Sequence, residues 1–590
     1  MFLIWRITYN DKYIITIISV IVTLSAIACG AAAPPTPTSA PTPEPTAAPP
    51  AAEATSPPAT EATSAPMATV APTPIPTPTT APAAPQAGKD TLTIALPNEP
   101  GNGSVYMMTT TESAWIGNNI AEPVTIIAKS TTEDATLSGF TGWEQISNSI
   151  WRLSLRDGVK FHNGEPWTAE AAKFTFDFYG NSATDAPNYA FLGDTTTKVI
   201  DPKTIEVTCA VACPIFPRFS GFLNFLAPEW YQNASDAEKA TSNVGFGPLK
   251  HVEYRIGEVW RAERYEDYVP VPDLAEGAMP TIREVTWVFR SETGVRLAML
   301  QTGEADLALR LDLDDADNMP AFSIGAEGSV MTLRFDTIWN PLLAKKEMRQ
   351  ALMHAIDCPT MAQSFYKGFA ECLGVPAPLG VLGVTEENIK PLHEYNPDKA
   401  KELLAQAGYN GEEVRVRMRE GRFPKDVEMG EAIVSYWKEV GVNAQLLVME
   451  SSKWLDLHQT GPGAFPPEDW SRLSQLPPPA PGLTSPDVLF AAPGNDTLDF
   501  GRNLAFYMDC RSSRAKVCDP VNLQPKVEAA LGAFGPERER LLAEAMEINR
   551  QEIYMAPLFD TIFLWGFQEN LEFEPAVGGR RIVINTIRWK

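Results

Sequence analysis

From Gly30 to about Gly88 the chain is dominated by Ala, Pro, Thr and Ser. Such a tract lacks the apolar side chains that offset the entropy of ordering. It predicts an unfolded, partly polyproline II tether and confines any core to the residues beyond Gly88. At ~3.1 Å per residue its ~60 residues reach well over ~100 Å when extended. The ~500 residues on its C-terminal side suffice for a large core and more than one domain.

Ahead of the tether, Arg6 and Lys12 flank a basic start, and Tyr13 to Ala28 form an apolar run. Its length suits a signal-peptide core and falls short of the ~20 residues that span a bilayer. The run ends Ala26-Ile27-Ala28-Cys29-Gly30. This resembles a lipobox, although Ala26 stands where Leu is usual. The resemblance implies a lipoprotein signal peptide over 1–28 and a diacylglycerol on Cys29, which becomes the mature N-terminus. The rival reading is an ordinary signal peptide or a short anchor helix.

Of seven cysteines, lipidation removes Cys29 and leaves six in three close pairs: Cys209 with Cys213, Cys358 with Cys372, and Cys510 with Cys518. An even set in an exported chain implies disulfides made in an oxidising compartment. Six cysteines allow 15 connectivities, and nearness in sequence is only a preference. A zinc site is the weaker reading, since no pair has Cys-x-x-Cys spacing or a nearby histidine. The formal net charge is -25, from 48 basic and 73 acidic residues. That excludes nucleic acid as a partner and electrostatic binding to anionic lipid. An acidic exterior serves solubility, and it leads one to expect cationic solutes.

Residues 91–96, Thr-Leu-Thr-Ile-Ala-Leu, alternate as a strand that stops at Pro97. Trp143 to Ser147 and Ile150 to Leu155 predict a hairpin, with Trp151, Leu153 and Leu155 on one face. Thr168 caps a helix that runs through Tyr179. Farther on, Asp398 is expected to cap a helix with Ala400, Leu403, Leu404 and Ala407 on one face and Gly408 at its end. A strand from Glu413 to Arg419, a helix from about Asp426 to Val440 and a strand from Val442 to Met449 make a βαβ unit, hence parallel strands. Tyr436 and Trp437 read as core.

No catalytic constellation is found. None of the five histidines, His162, His251, His354, His393 and His458, has a partner at metal-ligand spacing. Neither a Gly-x-Ser-x-Gly elbow nor a phosphate-binding glycine loop occurs. Asp312, Asp314, Asp315 and Asp317 evoke a calcium loop, but its sixth position is Asp317 rather than Gly and its twelfth is Ser323 rather than Glu. No enzyme activity, cofactor or metal is expected.

Six stretches in order carry a resemblance: SIWRLSLRDGVKFHNGEPWTAEAAKFTFD (149–177), GFGPLKHVEYRIGEVWRAERYEDY (245–268), RLAMLQTGEADLAL (296–309), MRQALMHAIDCPTM (348–361), YNPDKAKELLAQAGY (395–409) and EAIVSYWKEVGVNAQLLVME (431–450). Together they resemble the family 5 extracellular solute-binding proteins, the peptide/nickel class of ABC importers. Most of these residues are turns and caps; Asp357, for instance, is expected to cap the helix containing Pro359. They mark the fold rather than the ligand.

The resemblance implies an α/β, two-lobed fold of the periplasmic-binding-protein kind (class II type), with an extra subdomain on the first lobe. The expected first lobe is 89–324, including that subdomain at about 146–240. The second lobe is 325–545, and 546–590 returns to the first. The tether is 29–88. The implied function is capture of a peptide or peptide-sized solute between closing lobes, at the extracellular face of the bacterial cytoplasmic membrane. The implied partners are the ligand, an ABC permease with separate ATPase subunits, and the membrane through Cys29; the chain is expected to act as a monomer. Rivals are an oligosaccharide or other non-peptide ligand, a ligand-sensing surface receptor, and a secreted hydrolase.

Ligand contacts depart from the family pattern. Residues 461–497 are proline-rich where the family usually has a Trp-x-x-Asp segment, and Asp469 and Trp470 stand out of that order. Asp336 stands where Asn is frequent and Phe559 where Tyr is frequent. Candidate ligand-binding residues are Tyr106, Trp115, Asp336, Trp339, Trp454, Trp470, Asn503 and Phe559. Aromatic rings offer apolar area with polar edges, although any one of them serves equally well in a core.

Overall fold

Alternating and helical periods meet in one mixed sheet of ten strands. The computed structural model describes residues 89–590 except 101–102, 108–110, 127–135, 185–192, 273–276, 420–422, 459–486, 496 and 576–580. The expected signal peptide over 1–28, Cys29 and the expected tether over 29–88, together with Asp469 and Trp470, therefore lie outside the described residues.

The strands in chain order are β1 (Thr91–Leu96), β2 (Thr125–Ile126), β3 (Thr136–Leu137), β4 (Phe140–Ser147), β5 (Ile150–Leu155), β6 (Thr195–Asp201), β7 (Thr204–Cys209), β8 (Leu249–Arg255) and β9 (Val259–Arg264). They continue with β10 (Glu284–Phe289), β11 (Leu307–Leu311), β12 (Ala321–Phe335), β13 (Val414–Arg419), β14 (Ala444–Met449), β15 (Val488–Ala491), β16 (Met555–Phe567), β17 (Leu571–Glu572) and β18 (Arg588–Trp589). The large sheet runs β14-β13-β15-β12-β16-β11-β1-β10-β9-β8, and a separate four-stranded sheet runs β4-β5-β7-β6.

Two long antiparallel strands hold the large sheet together. At one end β12 and β16 pair from Ala321↔Phe567 to Ala326↔Ile562, and there β16 also pairs with β11. At the other end Thr332↔Pro557 to Arg334↔Met555 pair, and there β12 also pairs with β15. Between these stretches the register shifts twice, around Val330, where Gly328 has a positive φ of 72°. Such a shift breaks the hydrogen-bond ladder and bends both strands at the crossing. The sheet is thus two half-sheets joined by two strands, the architecture of a two-lobed α/β fold.

Local signals act as the chain chemistry requires. Thr168 accepts from Ala171 N and starts the helix Ala169–Tyr179. Asp357 accepts from Thr360 N at the head of Cys358–Tyr366. One expectation is corrected: the helix Pro397–Ala407 is capped by Asn396, which accepts from Lys399 N at 2.9 Å. Pro397 occupies the first helical turn, where its missing N–H costs nothing, so the cap falls one residue before it and Asp398 lies inside the helix. Gly408 ends that helix at φ 68°. The expected βαβ unit forms, with β13 and β14 parallel across the helix Asp426–Glu439. Trp437 is fully buried and its indole donates to Leu352 O, whereas Tyr436 is half-buried at the core edge.

One core surrounds the large and four-stranded sheets. A second apolar cluster, from Val375 to Met555, lies under the helices Gln524–Gly532 and Gly535–Glu552. Disulfides link Cys209–Cys213, Cys358–Cys372 and Cys510–Cys518, so each cysteine takes its sequence neighbour.

Candidate functional site

In open α/β sheets, ligand sites gather beyond the carboxyl ends of parallel strands, where loops converge and backbone groups are unpaired. β13 ends at Arg419, and beside that end is a cavity of about 230 Å³. Asp426 begins the next helix and accepts from Phe423 N at 3.1 Å, which fixes the turn into the site. Trp454 and His458, one turn apart on the helix Ser451–His458, stack at 4.7 Å and form another wall. Among the described residues, Met331 of β12, Met418 of β13, the end of β15, Tyr507 and Arg514 also line it.

Arg419 lies over the Trp454 ring at 5.1 Å. Behind the wall, buried Arg334 donates to His458 Nδ1 at 3.0 Å and to Arg514 O, and it lies 4.4 Å over the Tyr507 ring. Burial lowers its pKa to about 10, so it stays charged at neutral pH. Burial, followed by nearby Arg334, Arg514, Lys516 and Arg419, holds the His458 pKa well below the usual range. The ring is therefore neutral. Since Nδ1 accepts from Arg334, its proton is on Nε2. Lys516 is buried and donates to Leu457 O at 3.0 Å. Burial and Arg334 bring it down to about 7, against the opposing pull of Asp336.

A chain of contacts runs from the cavity to the other half-sheet. Phe423, in the lining, stacks on Phe563 of β16 at 6.4 Å. Arg310 of β11 lies 4.7 Å over that ring and 5.2 Å over Trp115, and it pairs with Glu112 at 2.9 Å. Arg310 has φ 52°, a left-handed backbone that costs a non-glycine residue free energy. Asp314, in the turn after β11, pairs with Lys425 at 2.7 Å and with Lys367 at 3.5 Å.

Of the candidates read from sequence, Trp454 lines this cavity. Its indole Nε1 is buried and has no acceptor. Trp115 lies outside the lining and connects to the cavity through Arg310, Phe563 and Phe423. Asp336 lies behind it, turned to its own backbone: it accepts from Ile338 N and Trp339 N at 3.0 and 3.1 Å, and faces Lys516. Trp339 is half-buried outside the lining. Phe559 is buried edge-on against Tyr366, and Asn503 is buried, donating to Asn495. Tyr106 is buried in the first half, where its hydroxyl donates to Val244 O. Arg334, Arg419, Asp426, His458, Tyr507, Arg514 and Lys516 escaped the sequence reading. No local pattern joins them, and His458 stood out only as one of five histidines.

A cavity at the strand ends of one half-sheet, connected to the other through two crossing strands, defines a two-lobed ligand-binding protein. Solved structures share this fold. The ABC transporter substrate binding protein CtaP from Listeria monocytogenes matches with a TM-score of 0.70 at 16% identity, covering 85% of this chain and 99% of that one. The oligopeptide-binding protein AppA from Bacillus subtilis, solved with a nonapeptide, matches at 0.64 and 17%, covering 85% and 99%. DppA from Helicobacter pylori, in complex with the peptide STSA, matches at 0.64 and 21%, covering 85% and 98%. At such identities the likeness is one of fold.

The chain belongs to the bacterial extracellular solute-binding proteins, family 5, whose model ("family 5 Middle") matches residues 122–480. Among curated relatives, the glutathione-binding protein GsiB of Escherichia coli (strain K12) is 29% identical over 271 residues, 44% of this chain and 50% of the relative. The chain spans about half the length of the curated relatives it matches. Among the described residues, no helix is long and apolar enough to cross a membrane.

Proposed function

We propose that this chain is the solute-binding component of an ABC importer and captures a peptide or peptide-sized solute without transforming it. The observation that carries the reading is the cavity at the end of β13, tied to the opposite half-sheet across the β12/β16 crossing. Relatives named for, or solved with, peptides support the peptide class. Lobes at 89–324 and 325–545, with 546–590 returning to the first, would close by bending where the β12/β16 register shifts. Ligand then shifts the population toward the closed form through its differential affinity. A permease with separate ATPase subunits would receive the ligand from this form. Lipidation of Cys29 and the long tether would hold a monomer at the outer face of the cytoplasmic membrane.

The test uses residues 89–590, which fall within the compact unit from Pro82 to Lys590. Native mass spectrometry detects any co-purified solute, and thermal shift screens peptides (glutathione among them), oligosaccharides and nickel. A ligand at 100 times its dissociation constant adds ~2.7 kcal/mol. Stabilisation by unmodified peptides supports the reading, stabilisation by sugars alone discards the peptide, and chemical turnover of the bound solute refutes a binding protein.

A further inference from the structure

The crossing of the two long strands has a third participant. Between Asp560, opposite Val330, and Pro557, opposite Thr332, β16 changes register against β12. The segment around Cys372 rests on that same stretch. Cys372 bridges Phe559 in antiparallel fashion, Leu373 N donates to Leu558 O at 2.9 Å, and Glu371 N donates to the Asp560 carboxylate at 3.0 Å. Cys358 heads the helix Cys358–Tyr366 and brings its sulfur within 3.5 Å of Leu558 O. The Cys358–Cys372 disulfide thus closes a loop whose base lies on the crossing strand.

The far end of this loop reaches the other half-sheet. Tyr366 packs edge-on against Phe559 at 5.5 Å, and Lys367 ends the helix with φ 51°. From there its Nζ donates to Leu313 O at 2.8 Å and pairs with Asp314 at 3.5 Å, in the turn that follows β11. A left-handed backbone costs a lysine free energy that glycine avoids, and Gly368 beside it also has a positive φ, 79°. Lys425, at the head of the helix Asp426–Glu439, meets the same Asp314 at 2.7 Å. One covalently closed loop therefore touches the crossing strand at its base and the first half-sheet at its tip.

The three disulfides differ in access. Cys209 and Cys510 are buried, at 4% and 1% exposure, so each of those bonds has a sheltered end. Cys358 and Cys372 are both half-buried, and both line a small cavity of about 40 Å³. Exchange with a thiol requires a thiolate to reach one sulfur while the other leaves, so access decides which bond reacts.

We infer that the Cys358–Cys372 loop is a redox-sensitive strap across the hinge: closed, it holds Lys367 on the first half-sheet and favours solute binding, and reduction by a dithiol releases it. A thiolate of the dithiol attacks one sulfur of the pair, and the other leaves as a thiolate and takes a proton. The second thiol of the reductant then displaces the mixed disulfide. Two electrons and two protons pass to Cys358 and Cys372, and the dithiol becomes a disulfide. The effect on binding rests on the solute-binding reading; the effect on the hinge does not.

The test uses the purified full chain. Free thiols are blocked with iodoacetamide, dithiothreitol is raised in steps, and thiols that appear are trapped with N-ethylmaleimide and located by peptide mass spectrometry. Cys358 and Cys372 should be trapped together, before the other two pairs. Once the reductant is removed, amide exchange is followed over 307–318 and 555–563. Calorimetry then measures dissociation constants for a tripeptide pool, oligosaccharides and nickel. Exchange should accelerate at 307–318, across the crossing from the disulfide. Whichever probe the oxidised chain binds should be held about 5-fold or more weakly, the low end of coupling between distinct sites. C358S/C372S should behave like the reduced chain in a protein that still melts cooperatively, and C209S/C213S should keep the redox difference. K367A should weaken binding in the oxidised chain and remove the further loss on reduction. Faster exchange confined to 358–373, with 307–318 and the dissociation constants unchanged, marks a local brace and overturns the inference while the solute-binding reading stands. Trapping of another pair first also overturns it. If the oxidised chain binds none of the probes, the solute-binding reading fails, and exchange at 307–318 still decides the strap.

Discussion

The second apolar cluster is pinned by an ion pair whose removal has a calculable cost. Arg538 Nε and Nη2 each donate to Asp499 at 2.9 Å, and both side chains are at most 4% exposed. Arg538 Nη1 donates to Ala530 O, while Asp499 accepts from Gly501 N at 2.7 Å. R538M leaves the Asp499 carboxylate buried with Gly501 N as its remaining named donor. Stranding one charge of a buried pair costs about 3–5 kcal/mol. Unfolding entropy is about 2.1 cal/mol/K per residue. If the ~220 residues of the proposed second lobe, 325–545, melt as their own unit, the entropy is ~0.5 kcal/mol/K and the Tm falls by about 6–11 °C. If all ~500 folded residues melt together, the same loss lowers Tm by about 3–5 °C. Calorimetry and urea unfolding of wild type, R538M, D499L and the double variant decide it. The double variant should recover a large part of the loss, because an apolar pair strands no charge. A single-variant cost under about 1 kcal/mol, or a double variant no better than the singles, would refute the reasoning.

Acid should weaken the fold through buried histidine. Burial chiefly depresses His162 to about 4, while its Nε2 lies 3.0 Å from Gly247 O. Between pH 6.5 and 4 the unfolded chain binds the extra proton, so stability is full above 6.5 and about 3 kcal/mol is lost on descent to 4. H162Q should flatten that slope in denaturant titrations run at successive pH values; an unchanged slope assigns it elsewhere. The exposed pairs of Asp314 with Lys425 and Lys367 are worth about 0.2–1 kcal/mol each. If these pairs favour the closed form, K367A/K425A should weaken ligand binding by about 2- to 30-fold, with the difference fading in high salt. Cys358 and Cys372 close a 14-residue separation, so C358S/C372S should lose about 3 kcal/mol in unfolding experiments.

Local order was legible because its causes are local. The helix ending at Gly408 reveals itself through four apolar residues on one face and a left-handed stop, all within one short stretch of chain. The βαβ unit of β13 and β14 follows from strand, helix and strand at short spacing. Each disulfide joins neighbours 4 to 14 residues apart, a pairing that nearness favours. Even the misplaced cap, Asn396 rather than Asp398, is an error of two residues about a proline. The six ordered fragments also carried the family, since turns and caps recur wherever the same backbone must bend.

The wall of the candidate cavity was not legible, and the reason is distance along the chain. Arg334, Arg419, His458, Arg514 and Lys516 spread over nearly 200 residues, with no period or spacing that joins them. They meet because β12, β13, the helix Ser451–His458 and the Cys510–Cys518 loop converge beyond one edge of the sheet. Aromatic residues named from sequence met a different obstacle. Tyr106, Trp115 and Phe559 are buried inside the fold, where a large ring gains the same free energy as in a cleft. Composition, a sum over all residues, pointed toward cationic ligands. The sequence alone determined most of the elements and the family. Which charged groups meet at the cavity was decided only by tertiary contact, because electrostatic potential depends on which groups lie within a few ångströms and not on how many the chain contains.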